Sequence, residues 1–382
     1  MLSQEKSTEF LECERAWIEI DLGALAHNVR QLKSLLAPQT ELMAVVKADA
    51  YGHGAVTVAQ TVLEQGVTWL GVATIPEGIE LRQAGVEAPI LILGATHTRQ
   101  QIQAIAHWQL QPTLCTPKQA LLFSRNLDKP IPVHVKIDTG MSRLGPLWFQ
   151  GAEFIRFVQS LPNLTLTSIY SHLATADSPD PTFMRQQQAR FHQVIRQIQA
   201  DVFPLPRLHL ANSAGTLSSS SLHYDLVRVG LSMYGLYPGV QFREAILLKP
   251  VLQVKARVTQ VKTIPGGTGV SYGHQFVAKQ SLRLAVVGIG YADGVPRKLS
   301  NRMTGLIRGQ RVRQIGAITM DQLMLDVSEL PDLQAGEVVT LLGREGNEAI
   351  FVEEWAETLE TISWEILCGF KHRLPRVPTG QA

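Results

Sequence analysis

Residues 43–54 read MAVVKADAYGHG. Met43, Ala44, Val45 and Val46 are apolar without alternation, and a lysine, an aspartate, a tyrosine, a histidine and two glycines crowd in directly behind them. A short, unbroken apolar run is the pattern of a strand buried on both faces, as in a parallel sheet. A polar cluster at the C-terminal end of such a strand is where a barrel of parallel strands keeps its chemistry.

The same unit recurs along the chain. Residues 69–73, 89–93, 112–114, 133–137, 166–170, 208–210 and 225–229 are further strand candidates, separated by longer stretches of helical apolar spacing. Eight βα units predict an α/β fold, a (β/α)8 TIM-like barrel over residues 21–242. From about Gly239 onward the pattern changes to strands with alternating faces, in VLQVKARVTQVKTI, SLRLAVVGIGYA and AGEVVTLLGREG, joined by turns such as Pro265-Gly266-Gly267. Residues 243–382 are therefore expected to form a C-terminal mainly-β domain. Ahead of the barrel, residues 16–20 read as a strand and 22–36 as a helix that Asp21 can cap, with segment 1–20 expected to pack with the β domain.

Composition narrows the function classes. A chain of 382 residues with 45% hydrophobic and 18% charged residues has the length for two globular domains. Thirty-five Lys and Arg against 33 Asp and Glu leave a net charge of +2 with no basic block, which argues against nucleic acid as a partner. Cys13, Cys115 and Cys368 are odd in number and widely spaced, so neither a disulfide framework nor a metal knuckle is expected, and a reducing cytosol fits. The opening MLSQEKSTEFLECERAW lacks the basic start and apolar stretch of a signal peptide, and no later run approaches the ~20 apolar residues of a membrane span. A cytoplasmic protein with no membrane contact is expected. None of the 11 histidines falls in a two-His ligand pattern beside a carboxylate, so no metal is expected and a metal hydrolase is set aside.

The residues that follow the strands carry the functional signal. Lys47-Ala48-Asp49 follows strand one, Lys136 to Arg143 follows strand five, Ser171-His172 strand six, Ala211 to Gly215 strand seven, and Arg228 to Leu231 strand eight. A lysine held at the end of an apolar strand can lose its proton and condense with a carbonyl. The plainer alternative is a barrel-mouth lysine paired with Asp49 or Asp138. Glycine-containing turns after strands seven and eight, with Ser213, suit a phosphate held by backbone N–H groups, although Gly215 and Gly230 could equally serve tight turns. A lysine and a phosphate cup at one barrel mouth together suggest pyridoxal 5'-phosphate.

These motifs bring in a specific resemblance. AVVKADAYGHG at 44–54 is similar to the cofactor-lysine motif of the alanine racemase family. KIDTGMSRLG at 136–145, SHLATAD at 171–177, HLANSAG at 209–215, RVGLSMYG at 228–235, VSYG at 270–273, GYADG at 290–294 and MDQ at 320–322 follow in the family's order, so that the resemblance spans residues 15–376.

The resemblance implies a pyridoxal-phosphate-dependent interconversion of L- and D-alanine, with D-alanine supplied to cell-wall peptidoglycan. It implies Lys47 as the residue bonded to the cofactor and as one catalytic base, and Tyr272 as the base on the opposite face. Tyr51, Asn212, Ser213, Gly230 and Leu231 are implied on the cofactor, the last two through backbone amides. Arg228 would face the pyridine nitrogen, donating a hydrogen bond without surrendering a proton, and His172 would link it to the tyrosine. A phenol ordinarily titrates near ~10, so such a link is needed for its use as a base. Arg143 and Met320 are implied at the substrate, and Asp177, Tyr291 and Ile362 at a narrow entrance that favours a methyl side chain, with Asp293 beside them. Lys136 matches a position that carries a carbamate in family members; its alternative is a plain surface pair with Asp138. Tyr272 and the MDQ segment would reach the partner's active site in a homodimer.

Three positions depart from the family pattern. Trp364 stands in ISWEILCG where a tyrosine is usual, Thr319 where a cysteine is common, and Ala317 where an arginine is common near the entrance. Two rival readings share the barrel. A decarboxylase would be expected to set a carboxylate, not Arg228, against the ring nitrogen and to carry a Cys-Glu-Ser-type segment in the β domain, whereas the cysteine of that domain, Cys368, lies in ILCGF near the C-terminus. A cofactor carrier would need neither the second domain nor Tyr272.

Overall fold

The computed structural model describes residues 15–199 and 204–380; Cys13 and the first fourteen residues of the N-terminal segment lie outside the described residues. The chain divides into two units, one of Ala24–Ala50 and Gly54–Lys249, the other of the described N-terminal residues through Gly23, Tyr51–His53 and the chain from Pro250 onward. Strand β1 (Ala16–Asp21) belongs to the latter.

The first unit is built on β2 (Glu41–Val45), β3 (Trp69–Val72), β4 (Ile90–Ile92), β5 (Gln111–Leu114), β6 (Ile131–Lys136), β7 (Leu164–Tyr170), β8 (Arg207–His209) and β9 (Leu226–Val229). From β2 to β8 each strand pairs in parallel with the next, and β9 pairs in parallel with β2. Backbone hydrogen bonds from Asp225 N to Leu208 O (3.0 Å) and from Arg228 N to Ala211 O (3.1 Å) close the ring between β9 and β8. This is the expected barrel of parallel strands. The strand ends differ from the sequence reading by one or two residues: β6 starts at Ile131 because its ladder with β7 begins at the pair Ile131–Leu164. The first helix spans Leu22–Ser34 rather than 22–36, since the N–H groups of Leu35 and Leu36 bond three residues back, to Leu32 and Lys33, and the last turn tightens.

The buried runs explain the strand sequences. Every residue of β3 and β9 is buried, as a strand covered on both faces requires. Met43, Trp69, Leu91 and Leu226, one from each of β2, β3, β4 and β9, pack into an apolar cluster. The strands between fill the interior with polar groups instead: Thr113, His134, Ser168 and His209 are at most 1% exposed. Helices after β3 and β4 are capped by a repeated device. Glu77 accepts from the N–H groups of Ala73 and Thr74, and Gln101 from those of His97 and Thr98, so the side chain at the third helical position satisfies donors the helix leaves open.

In the second unit β1 pairs antiparallel with β10 (Leu252–Ile264) and in parallel with the strand Arg376–Thr379. The long β10 also pairs with Leu282–Val287 and Val338–Glu345, and its register slips between Val258 and Gln260 in the first of these ladders, a bulge that bends it. The Pro265–Thr268 turn closes by a bond from Thr268 N to Pro265 O (3.3 Å) with Gly267 at φ +83°, a backbone position that favours glycine. Ile264, Val270, Leu284, Val286, Ile315 and Met324 belong to one core cluster of this unit, which also carries the helices Val352–Leu359 and Ser363–Gly369.

Candidate active site

Lys47 follows β2 and is half-buried. Behind it the backbone turns in a way no residue type there signals: Ala48, Asp49, Ala50 and Tyr51 have φ of 53°, 53°, 52° and 56°, a full left-handed turn without glycine until Gly52. Each such residue costs roughly 1–2 kcal/mol, so the turn must be held from outside. Ala48 N donates to Glu77 Oε1 (2.7 Å), Ala50 N to Val46 O (2.9 Å), and Ala55 N to Asp49 Oδ1 (2.8 Å). The Glu77 that caps the next helix thus also anchors the turn beside Lys47.

At the end of β9, Arg228 is 4% exposed. Its Nη1 donates to His209 Nδ1 (2.9 Å), and its Nη2 faces Ser171 O (2.7 Å), Leu210 O (3.1 Å) and His172 Nδ1 (3.2 Å). Burial brings its pKa down to about 10, so it remains a cation at neutral pH. An arginine can only donate, so both histidines must accept at Nδ1 and carry their proton on Nε2. Burial first, then the charges of Arg228, Lys136, Arg143 and Lys47, hold His172 well below the ordinary imidazole value, and it is neutral. Among the described residues Arg228 Nε has no acceptor, and it is this donor that a ring nitrogen would take.

Lys136 is not the surface partner of Asp138 considered above. It is 5% exposed, with Nζ 5.4 Å from the centre of the Tyr170 ring. Asp138 instead accepts from Gly140 N (2.8 Å) and Ser142 N (3.0 Å), which fold the loop that carries Arg143. Burial, with Arg228 and Arg143 nearby, lowers the Lys136 amine to about 8. Lys47, Lys136, Arg143 and Arg228 thus concentrate positive charge in the barrel unit, where it suits a phosphate and a carboxylate.

The turns after β8 and β9 meet at Ser213, whose Oγ accepts from Gly230 N (3.2 Å) and Ser232 N (3.3 Å). Leu231 opens the short helical turn Leu231–Tyr234 beside it. Asn212 spends its side chain within the protein: Oδ1 accepts from Gly215 N (2.9 Å) and Nδ2 donates to Leu173 O (3.4 Å), which shapes the turn. Tyr51 is kept protonated by burial, its phenol pushed up to about 12, so it is a hydrogen-bond donor. Asp177 is exposed on the barrel unit, its carbonyl accepting from Gln241 Nε2 (2.7 Å).

The remaining site residues lie on the β unit. Tyr272 is 70% and Met320 53% exposed. Tyr272 borders a groove of about 940 Å³ together with Ser271, His274, Thr319 and Gln322. Ser271, at φ +61°, is held by its hydroxyl bond to Ala317 O (2.7 Å). Ala317 is buried, and Thr319 closes its own turn on Gln322 O (2.8 Å), so both unusual residues support the Tyr272 and Met320 segments. Tyr291 and Ile362 are exposed and Trp364 is half-buried. Asp293 does not line a surface: it is 1% exposed and takes a two-point bond from Arg15 (2.5 and 2.9 Å) as well as Gly290 N (2.9 Å). With Tyr291 N on Thr319 O (2.9 Å) and Ala292 N on Met320 O (3.0 Å), this locks the GYADG and MDQ loops together.

The sequence reading missed His209, buried under Arg228, and Glu77. The Thr-x-x-Glu spacing of Thr74 and Glu77 was a usable signal.

Comparison with known proteins gives a consistent result. The alanine racemase N-terminal domain model matches residues 20–238 and the C-terminal domain model residues 251–378. The chain is 67% identical to an alanine racemase of Nostoc sp. over 95% of its length and 96% of the relative's. It is 61% identical to one of Synechocystis sp., over 95% and 99%. Among solved structures, an alanine racemase of Clostridium difficile superposes with a TM-score of 0.91 at 32% identity, covering 96% of each chain. One of Bacillus anthracis with bound L-Ala-P gives 0.90 at 34%, covering 96% of this chain and 95% of that one. On the two domain models and these relatives, the chain belongs to the alanine racemase family.

Proposed function

We propose that this chain racemises alanine with pyridoxal 5'-phosphate, using Lys47 and the Tyr272 of a partner subunit as the two bases. The observation that carries the reading is Arg228: a buried guanidinium, fixed by its neighbours, with Nε–H left over. Pyridoxal phosphate, when bound, supplies the electron-withdrawing ring that makes an amino acid's α-proton removable. Arg228 would donate to its ring nitrogen without protonating it, which would weaken that withdrawal and disfavour decarboxylation and transamination. Ser213, with Gly230 and Leu231, is the phosphate end, supported by Tyr51 and a turn that Asn212 shapes. Lys47 anchors the cofactor and moves a proton on one face of the α-carbon; Tyr272 does so on the other. His172, neutral and bonded to Arg228 through Nδ1, offers Nε2–H to the phenol oxygen and favours its basic form. Arg143 and Met320 hold the substrate, and Asp177, Tyr291 and Ile362 restrict its side chain.

A homodimer with shared sites follows from this reading, supported by the exposure of Tyr272 and Met320. Among the described residues no helix is long and apolar enough to cross a membrane, and we place the enzyme in the cytoplasm, supplying D-alanine to cell-wall peptidoglycan. Lys136, whose amine is partly neutral near pH 8, is suited to react with carbon dioxide and present a carbamate to Arg143. The test is circular dichroism of L-alanine incubated with protein and cofactor, with total alanine assayed in parallel. The signal should decay at constant alanine, and Lys47→Ala should abolish both the decay and covalent cofactor attachment. Undiminished optical activity with intact alanine, or normal turnover by Lys47→Ala, would overturn the assignment.

A further inference from the structure

The hydrogen bond from Arg228 to His209 is the last link of a longer chain. His209 Nε2 lies 2.7 Å from Ser168 Oγ, Ser168 Oγ 2.6 Å from His134 Nδ1, and His134 Nε2 2.7 Å from Gln111 Oε1. The five residues sit on five successive strands, β5 to β9. Gln111 is the first residue of β5, and Arg228 lies near the end of β9, so the chain climbs through the barrel interior toward its functional end. His134, Ser168 and His209 are at most 1% exposed, which leaves water no part in satisfying them.

The protons in this chain can be placed. Arg228 must donate, so His209 Nδ1 is bare and Nε2 carries the hydrogen. Nε2–H donates to Ser168 Oγ, the serine hydroxyl donates to His134 Nδ1, and His134 Nε2–H donates to the Gln111 carbonyl oxygen. Both ends demand the same direction. Reversing it would face two donors across 2.9 Å at Arg228. Burial keeps both imidazoles uncharged, pulling His134 to about 3 and His209 well below the ordinary value.

We propose that Gln111, His134 and Ser168 are positioning residues for Arg228, fixing through His209 the direction in which its free Nε–H points. This rests on the racemase reading for its purpose but not for its geometry. Removing the far acceptor lets His134 move its proton to Nδ1, Ser168 turn around, and His209 present a second donor to the guanidinium. The arginine is then displaced by a change three hydrogen bonds from its neighbour.

The experiment is long-range 15N–1H NMR on histidine-labelled protein, with and without cofactor. In the parent both His134 and His209 should be neutral with the proton on Nε2. Gln111→Leu should alter the His209 signals and lower kcat roughly tenfold, the scale set by one buried unsatisfied donor, with KM for alanine within about twofold. Gln111→Glu, which retains an acceptor oxygen, should restore both. On a Ser168→Ala background, Gln111→Leu should have no further effect at His209, because the chain is already cut; if Ser168→Ala fails to fold, the Gln111 pair decides alone. A proton on Nδ1 of either histidine, or a His209 indifferent to Gln111→Leu, overturns the proposal. A responsive His209 in a protein that leaves alanine unchanged would instead sink the racemase reading and keep the chain.

Discussion

Replacing Lys136 by Met should stabilise the cofactor-free protein at neutral pH, against the usual cost of altering a buried residue. Burial and two neighbouring guanidiniums lower the amine from 10.5 to about 8. At about 1.36 kcal/mol for each tenfold change in proton affinity, that is a penalty of about 3 kcal/mol on the folded state. Below pH 8 the folded and unfolded chains both hold the proton and the penalty is present in full; between 8 and 10.5 the folded amine sheds it first and stability rises with pH. Methionine has a similar reach and no charge. Urea unfolding in buffer free of carbon dioxide should therefore show Lys136→Met more stable by up to about 3 kcal/mol at pH 7, with the gap closing toward pH 10. Bicarbonate should stabilise the parent alone, since a carbamate turns repulsion from Arg143 and Arg228 into attraction. A variant no more stable than the parent at pH 7, with the same pH dependence, would refute the claim that this lysine is held against its charge.

Two further outcomes follow from other parts of the structure. Tyr272→Phe should slow proton exchange at the α-carbon of one alanine enantiomer far more than the other, read by deuterium incorporation from solvent; equal small losses would mean another group is the second base. Ala48→Gly should stabilise the protein by about 0.5–1 kcal/mol in thermal unfolding, because relief of a left-handed Cβ outweighs the entropy glycine adds to the unfolded chain, whereas destabilisation would contradict the left-handed turn.

The barrel was legible because burial on both faces leaves unbroken apolar runs such as residues 43–46, and because polar residues gather where those runs end. The β unit was legible from the alternation in β10. What escaped needed the third dimension. Ala48-Asp49-Ala50-Tyr51 contains no residue that announces a left-handed turn; the turn exists because Glu77, from the next βα unit, bonds the Ala48 N–H. Lys136 and Asp138 look like a surface pair at a spacing of two, yet in a strand running into a barrel the lysine points to the interior while the aspartate folds the loop. His134 and Ser168 sit mid-strand, and their link becomes visible only when the register of β6 and β7 sets them side by side. Tyr272 as a base came from resemblance alone, since an exposed tyrosine after a short strand has no intrinsic mark of chemistry.

Each unit is stiff beside the residues proposed to act in it. A guanidinium that donates but does not release its proton leaves the deprotonated substrate high in energy. A high-energy species must be reprotonated from a base already in place, because there is little time for a side chain to search. Lys47 is followed by a turn that costs several kcal/mol to hold. The Met320 and Tyr291 loops are tied together by backbone bonds from Tyr291 N to Thr319 O and from Ala292 N to Met320 O, and the buried carboxylate of Asp293 braces the Tyr291 loop through Arg15 and the Gly290 N–H. Arg228 is held at both Nη1 and Nη2 and keeps its Nε–H unused. Strain and buried polar bonds would be liabilities in a barrel selected for stability alone, and they persist when the surrounding structure over-determines them. Their occurrence beside the residues proposed to act suits the proposed two-base proton transfer over a weak electron sink.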